Sequence, residues 1–365
     1  MVYIYKKTIG NKEYYYLRAS ERRGNRVINK DLAYLGSNIE EVKKALEKLP
    51  KHKERIRKAY KTIHNFLESN RFIEEVKKLK LKQDMFLGDK LIDIEACKLH
   101  YIKEFQKLDS LTKQEILKNF LIEFAYNTTS IEGNTINLQE AKKLLEEGKT
   151  PKNKTLREIY DLQNTEKVFF DLIESKSKDE ITNEFIINIH KKLLYNIESF
   201  EKPQNSKLSK KDFDAISFGN RGYSKSSIDN RIGYRSQDVR VIKANFKSTP
   251  APYVKTDMDL LIKWYNENKD KFHTFVLGQI FHHKFEKIHP FMDGNGRTGR
   301  MILNYILIKN NYPPLIIRNK NRQKYLKAIR KADNSDLLKV RIEDYSELIQ
   351  FVADEMIDGY WSIFL

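Results

Sequence analysis

Residues 289–300 read His-Pro-Phe-Met-Asp-Gly-Asn-Gly-Arg-Thr-Gly-Arg. One short stretch thus holds an imidazole, a carboxylate, three glycines and two guanidiniums, a set suited to gripping a polyphosphate while a base activates an attacking group. The motif joins a helix expected to end near Ile288 to one expected to begin near Gly296, with Pro290 closing the first. Gly294 and Gly296 let the backbone approach a ligand, and free N–H groups at the start of the second helix attract phosphate through donors and dipole. Arg297 and Arg300 are three apart, so they project from one face and can clamp successive phosphates. Asp293, the only acid of the stretch, suits a magnesium ion bridging phosphate oxygens. His289, with an ordinary pKa near ~6.5, is the natural base for an attacking hydroxyl.

Two other readings of these residues fail. Gly294-Asn-Gly-Arg-Thr-Gly299 fits the G-x-G-x-x-G pattern of dinucleotide folds, which must follow a strand and precede an acid by roughly 20 residues. Here the preceding segment has helical periodicity, and no Asp or Glu occurs between Asp293 and Asp333. A metal-hydrolase reading would need His282, His283, His289 and Asp293. No H-E-x-x-H is present, and adjacent His282 and His283 point to different helix faces, which suits core or supporting roles.

The elements that must position this stretch can be read from patterning. In a chain of 365 residues, Val2 to Lys7, Glu13 to Ala19 and Arg26 to Tyr34 are rich in β-branched and aromatic residues. Gly10-Asn11 and Arg23-Gly24-Asn25 separate them as turns, predicting a small sheet. Helical patterning starts at Asn38 and breaks at Pro50. Residues 51–83 are charged and amphipathic. Ile116, Phe120, Leu121 and Phe124 recur at helical intervals, as do Leu277, Phe281, Phe285 and Ile288. Met301 to Ile308 is almost wholly apolar and predicts a buried central helix. Residues 205–253 are rich in Ser, Asn and Gly and read as a long loop ending in a short hairpin, a length usually tied to function or mobility.

Composition narrows the class. Cys97 is the sole cysteine, so no intrachain disulfide or cysteine-rich zinc site can form, and a cytoplasmic setting is expected. No window approaches the roughly 18 apolar residues of a membrane span, and the first ten residues lack a secretory signal. Of the net charge of +18, half lies in residues 1–60, which hold 16 Lys/Arg against 7 Asp/Glu. Such an end suits nucleic acid or acidic protein surfaces, and equally a solvated lysine-rich face.

The 289–300 stretch resembles the signature of the Fic family, H-P-F-x-[DE]-G-N-G-R-x-x-R, with every specified position matched. The resemblance implies a mainly α fold, a Fic-type helical bundle with a β-hairpin flap, here preceded by the small β-rich segment. It also implies nucleotidyl transfer, usually of AMP from ATP to a protein hydroxyl. By the family's roles His289 is the general base, Asp293 the Mg2+ ligand, Gly294, Asn295 and Gly296 the anion hole, and Arg297 and Arg300 the phosphate partners. Phe291 is a buried anchor, and Asn295 joins His289 and Asp293 among the catalytic groups. In the phosphorylating Doc-like branch a lysine replaces Gly296, so glycine here favours AMP transfer.

Thr128-Thr-Ser-Ile-Glu132-Gly133 resembles the family's inhibitory motif [ST]-x-x-x-E-[GN]. Thr128 and Glu132 share a helix face, Gly133 can end that helix, and the carboxylate can pair with Arg300. Gly233-Tyr234-Arg235, with the segment after it, resembles the flap that docks a target segment by strand addition. Tyr325 resembles a residue of the post-motif helices, where packing outweighs nucleotide contact. The expected divisions are a basic β-rich segment (1–37), a charged helical connection (38–95) and a Fic domain (96–365). The last holds an inhibitory helix near 113–133 and a flap near 230–245. Expected partners are ATP and a target protein carrying a Ser, Thr or Tyr hydroxyl. Nucleic acid at the basic end and self-association are further expectations, and the alternative functions are removal of AMP through Glu132 or a nucleotide-sensing regulator that binds nucleic acid.

Overall fold

Turns at Gly10 and Gly24, each with a φ near 60° that glycine adopts without strain, divide the start of the chain into three strands. These are β1 (Val2–Ile9), β2 (Lys12–Arg23) and β3 (Arg26–Gly36), antiparallel in the order β1-β2-β3. They coincide with the expected strands, slightly extended. The computed structural model describes residues 2–10, 12–24, 26–174, 179–197, 233–239 and 247–365. Strand alternation puts Val2, Ile4, Tyr15, Leu17 and Ala19 on one face. They are buried with Ile39 and Val42 of α1 (Ile39–Glu47) and Ile63 of α3 (Tyr60–Lys77). Asn38 caps α1 by accepting from the Glu41 N–H at 2.9 Å, where helical patterning was expected to start. The short α2 (Lys53–Lys58) follows a single 3-10 turn that begins at Pro50.

The chain forms two compact units. One comprises Met1–Lys82, Leu91–Lys107 and Tyr360–Leu365, and the other Gln83–Lys90 and Leu108–Gly359. In the first, α4 (Lys90–Lys103) brings His100 Nδ1 within 2.7 Å of the Tyr360 hydroxyl, among Phe72 and Trp361.

The second unit is helical, as its 3.6-residue apolar spacing requires. Its elements are α5 (Ser110–Ile131), α6 (Leu138–Glu147), α7 (Leu156–Glu174), α8 (Asn183–Leu193), α9 (Val254–Asn268), α10 (Thr274–Ile288), α11 (Asn295–Lys309), α12 (Arg322–Ala332) and α13 (Ile342–Ile363). Caps mark their starts: Asp109 accepts from Thr112 N–H, Thr182 from Phe185 N–H, and Asn137 forms a capping box with Glu140. Met301, Ile302, Leu303, Ile306 and Leu307 are completely buried, so the second half of α11 is the apolar centre of the bundle. It packs on α10, α8, α5 and α7. The aromatic rings of Phe120, Phe124 and Phe169 stack between α5 and α7. No helix among the described residues is long and apolar enough to cross a membrane. The expected flap near 230–245 lies largely outside the described residues, which include only 233–239 of it.

Candidate active site

The α10–α11 junction turns on an unusual backbone. α10 ends at Ile288, and His289 takes the left-handed conformation, with φ 54° and ψ 61°. Among the described residues the other non-glycine positive φ values belong to Asn153, Asn196 and Asn311. Asparagine tolerates this region; for histidine it is strain that the surroundings must hold in place. His289 N–H donates to Phe285 O at 3.0 Å, and its carbonyl accepts from Arg235 Nε at 2.8 Å. Its Nδ1 lies 3.3 Å from Glu286 O. A carbonyl can only accept, so Nδ1 carries the proton and Nε2 keeps its lone pair for a substrate. Burial lowers the His289 pKa below its ordinary value, against the Glu286 carbonyl that raises it. The ring is therefore neutral at pH 7.

Asn295 fixes the turn from inside. Its Nδ2 donates to Phe291 O at 2.8 Å while its Oδ1 accepts from Phe291 N–H at 2.9 Å. The side chain, expected among the catalytic groups, is thus spent on the loop's shape, and what Asn295 can offer an anion is its backbone N–H. Phe291 is completely buried, as expected of an anchor, with the His190 ring of α8 stacked on it at 3.6 Å. His190 Nε2 also approaches the Asp293 carbonyl at 2.9 Å. Gly294, with φ 76°, opens α11.

Charge gathers on the first turns of α11. Arg297 is buried and paired with the Asp161 carboxylate of α7, and its Nη2 lies 3.3 Å from Asp293 Oδ1. Burial lowers its pKa to about 10, which leaves it charged at neutral pH. Asp293 also receives Arg157 of α7 at 2.5 Å. Asp293 is partly exposed and is the one carboxylate of the turn, so it can supply the single protein ligand of a hard cation whose other ligands are phosphate oxygens and water. Among the described residues no cluster of three acid, histidine or cysteine ligands occurs.

Arg300 is bound to α5. Its Nε donates to Thr128 Oγ1 at 2.6 Å, and its Nη2 to Thr128 O at 2.9 Å and Glu132 Oε1 at 2.7 Å. α5 ends at Ile131, and Gly133 follows with φ 108°. The Glu132 carboxylate lies directly over Gly296, where any Cβ on residue 296 would run into it. An anion of the protein thus occupies the space above the first turn of α11. Burial would raise the Glu132 pKa, but Arg300, with Arg297 and Arg322 beyond it, outweighs this and holds it below the ordinary value. The side chain is nonetheless 40 % exposed, so the pair is open to competition.

Tyr234 and Arg235, expected in the docking flap, turn their side chains onto the α10–α11 turn. Tyr234 donates to Asn183 Oδ1 at 2.5 Å and packs its ring near Phe291. Arg235 is buried beneath the C-terminus of α10 and donates to the carbonyls of His289, Ile288, Gln237 and Thr249, and its N–H to Pro290 O. The reason is that the last carbonyls of a helix lack partners of their own. Gly233 precedes them with φ 150°. His282 and His283 are fully buried, with hydrogen-bond partners in Tyr325 and in Tyr345 and Asp333. Tyr325 itself is buried and serves packing.

Sequence reasoning missed Arg157, Asp161, His190 and Glu286. Asp161 and His190 did carry a signal, since each sits on the apolar stripe of its helix, beside Leu162 and Ile189 respectively. Glu286 Oε1 and His282 Nδ1 are buried without partners, and both face Gly299, where an added Cβ would meet them at 2.9 Å and 2.7 Å.

Residues 180–307 match the sequence profile of the Fic/DOC family. The protein adenylyltransferase fic-1 of Caenorhabditis elegans is 25 % identical over 239 residues, covering 64 % of this chain and 41 % of that protein. A probable protein adenylyltransferase of Aquifex aeolicus is 38 % identical over 126 residues, 33 % of this chain and 38 % of its own. The chain thus spans about two fifths of the length of these relatives. Among solved structures, a Fic domain-containing signaling protein from Bacteroides thetaiotaomicron superposes with a TM-score of 0.59 at 21 % identity, over 73 % of this chain and 95 % of that one. A C. elegans Fic-1 structure gives 0.55 at 19 % identity, over 89 % and 81 %. At that identity the likeness concerns the fold.

Two measurements check the site's construction. Arg235→Ala orphans several buried carbonyls, so thermal unfolding should show a loss on the order of 2–3 kcal/mol. Glu286 is pushed up to about 8 by burial, with the Glu132 carboxylate adding to it. The native state therefore keeps a proton that the unfolded chain gives up near ~4.3, and this group's favourable contribution declines as pH rises from about 5 to 8. Glu286→Gln cannot titrate, so its melting temperature should gain on wild type steadily across that range.

Proposed function

We propose, on the premise that residues 180–307 are a domain of the Fic/DOC family, that this chain is a self-inhibited protein AMP-transferase using ATP and magnesium. The observation that carries the reading is Glu132 at 2.7 Å from Arg300, over Gly296. A site built for an anion is there filled by one of the protein's own.

The chemistry follows from the residues. A target Ser, Thr or Tyr hydroxyl gives its proton to His289 Nε2 as its oxygen bonds to the α-phosphorus of ATP. The bond from that phosphorus to the bridging oxygen breaks, and pyrophosphate leaves with the electron pair. The backbone N–H groups of Asn295 and Gly296, the Gly294 N–H once Asp293 Oδ1 releases it, and the Arg297 guanidinium would face the phosphates and stabilise the charge that develops. Gly296 has no side chain to obstruct them. Bound magnesium would neutralise phosphate charge, and Asp293 is the residue to hold it once Arg157 lets go. Glu132 opposes all of this by holding Arg300 and the space that the terminal phosphate needs.

A second reading rests on Glu132 being both ionised and partly exposed. Such a carboxylate can orient water toward a bound AMP–protein ester, so removal of AMP would need the same residue that blocks transfer.

With ATP labelled at the α-phosphate, Glu132→Gly should incorporate label at least about tenfold faster than wild type, and adding His289→Ala should remove more than about 99 % of that rate. Equal incorporation by wild type and Glu132→Gly would overturn self-inhibition, and transfer of a γ-phosphate label would overturn AMP transfer. If the second reading also holds, Glu132→Gly loses release of AMP from a pre-modified target. In the Glu132→Gly background, transfer should be level above pH 7 and fall only at acid pH, with its midpoint below about 6.5. That midpoint reports the lowered pKa of His289.

A further inference from the structure

The face of the N-terminal sheet turned away from its core is aromatic. The register aligns Tyr5 of β1 with Tyr16 of β2, and Tyr16 with Tyr34 of β3. One tyrosine from each strand therefore stands side by side in a row across the sheet, at the usual strand spacing of about 4.8 Å. The Tyr16 and Tyr34 ring centroids are 5.4 Å apart. In the next row Arg18 lies between Tyr3 and Asp31, its guanidinium 3.4 Å above the Tyr5 ring. On the other side Lys7 stands opposite Tyr14. Tyr34 is 54 % exposed, and the other tyrosines of this face are half-buried.

An antiparallel sheet with one face on its core ordinarily turns polar residues to water on the other. Here the solvent-facing positions keep large flat rings, and the surroundings are basic. The unit that contains the sheet holds 25 Lys/Arg against 13 Asp/Glu, so +12 of the chain's +18 lies in it. Such a charge selects an acidic partner, and stacking rings favour one that carries flat bases over an acidic protein. A row of rings, exposed at Tyr34 and partly exposed at Tyr16, amid positive charge matches a polyanion with unpaired aromatic bases. In a duplex those base faces are already stacked on one another. Asp31, paired with Arg18, and the Ser20–Asn29 hydrogen bond continue the same face. A carboxylate there repels phosphate but accepts from a 2′-hydroxyl, which RNA has and DNA lacks.

We propose that this face binds single-stranded RNA, with bases stacked on Tyr16, Tyr34 and the Arg18 guanidinium that covers Tyr5, and the backbone held by Lys7 and neighbouring basic residues. The function is separate from nucleotidyl transfer and does not depend on it.

Fluorescence anisotropy of the full chain with a labelled oligouridine of about twenty nucleotides at about 0.1 M salt tests it. Saturable binding is expected, weakened at least about fivefold in Tyr16→Ala and in Tyr34→Ala. Tyr34→Phe should bind as wild type, and Lys7→Gln should reduce the salt slope by about one. Circular dichroism accompanies each variant, and if Tyr16→Ala unfolds, the half-exposed Tyr34→Ala decides. The proposal is overturned if the wild type does not bind, if folded Tyr34→Ala binds as tightly as wild type, or if oligothymidine or a DNA duplex binds as tightly as the RNA.

Discussion

Two guanidiniums, Arg297 and Arg300, are buried on the first turns of a helix that is itself buried. Leaving such a cation unpaired costs several kcal/mol, so the surrounding elements must bring counter-charges to it. α7 supplies Asp161, the turn supplies Asp293, and α5 supplies Thr128 and Glu132. The placement of α5 and α7 against α11 is thereby tied to electrostatics as well as to packed rings. The same need explains why Arg300 is suited to two partners. A ligand phosphate that replaces Glu132 leaves the guanidinium paired throughout, and the exchange avoids the penalty of an uncompensated buried charge.

The contacts around the turn fall into two kinds. Asn295 on Phe291, Arg235 on the last α10 carbonyls and His190 on Asp293 O are directed at backbone atoms, and these three side chains are buried. They hold His289 in a backbone region that histidine rarely adopts, with its tautomer set by Glu286 O. By contrast, Glu132 with Arg300 and Arg157 with Asp293 are ion pairs between side chains, and each includes a substantially exposed member. Exposed pairs are weak and readily exchanged. The geometry that chemistry would need is thus rigid, whereas the contacts that a nucleotide and its metal would have to displace are the yielding ones.

Legibility in the sequence follows the same division. The α10–turn–α11 boundaries were readable because Pro290, Gly294 and Gly296 punctuate two apolar periodic segments, and the N-terminal strands because glycine turns interrupt β-branched and aromatic runs. Glu132 was readable only beside Thr128 and Gly133, as a pattern tied to a motif far downstream. Arg157 and Asp161 lie more than a hundred residues before Arg297, and nothing local shows that their helix passes the turn. Arg235 reads as part of a docking strand, and its role as donor to α10's carbonyls appears only once the helix end is in place. The same holds for the side chain of Asn295: its partner is the backbone of Phe291, which the motif alone does not reveal.

On the reading of Glu132 as a brake, the structure limits how it can be released. Arg300 and Arg297 keep the carboxylate ionised through neutral pH, so protonation is not the trigger. Withdrawal of the end of α5 is costly as well. Ile131 O accepts from Arg322 Nε at 2.7 Å, Asn127 Oδ1 accepts from Asn319 N–H at 2.8 Å, and Asn134 Nδ2 donates to Glu158 O at 2.9 Å. Moving the helix end would break all three along with the Thr128 contacts. Rotating the Glu132 side chain exchanges one half-exposed pair for the incoming anion on Arg300 and leaves the backbone in place. The lower-cost route is therefore a change of rotamer, driven by an anion that binds Arg300 more strongly than a single carboxylate does. A helix end held this firmly also keeps Glu132 close to Arg300 after it lets go, so its effective concentration there stays high. The brake would then re-engage whenever the competing anion leaves.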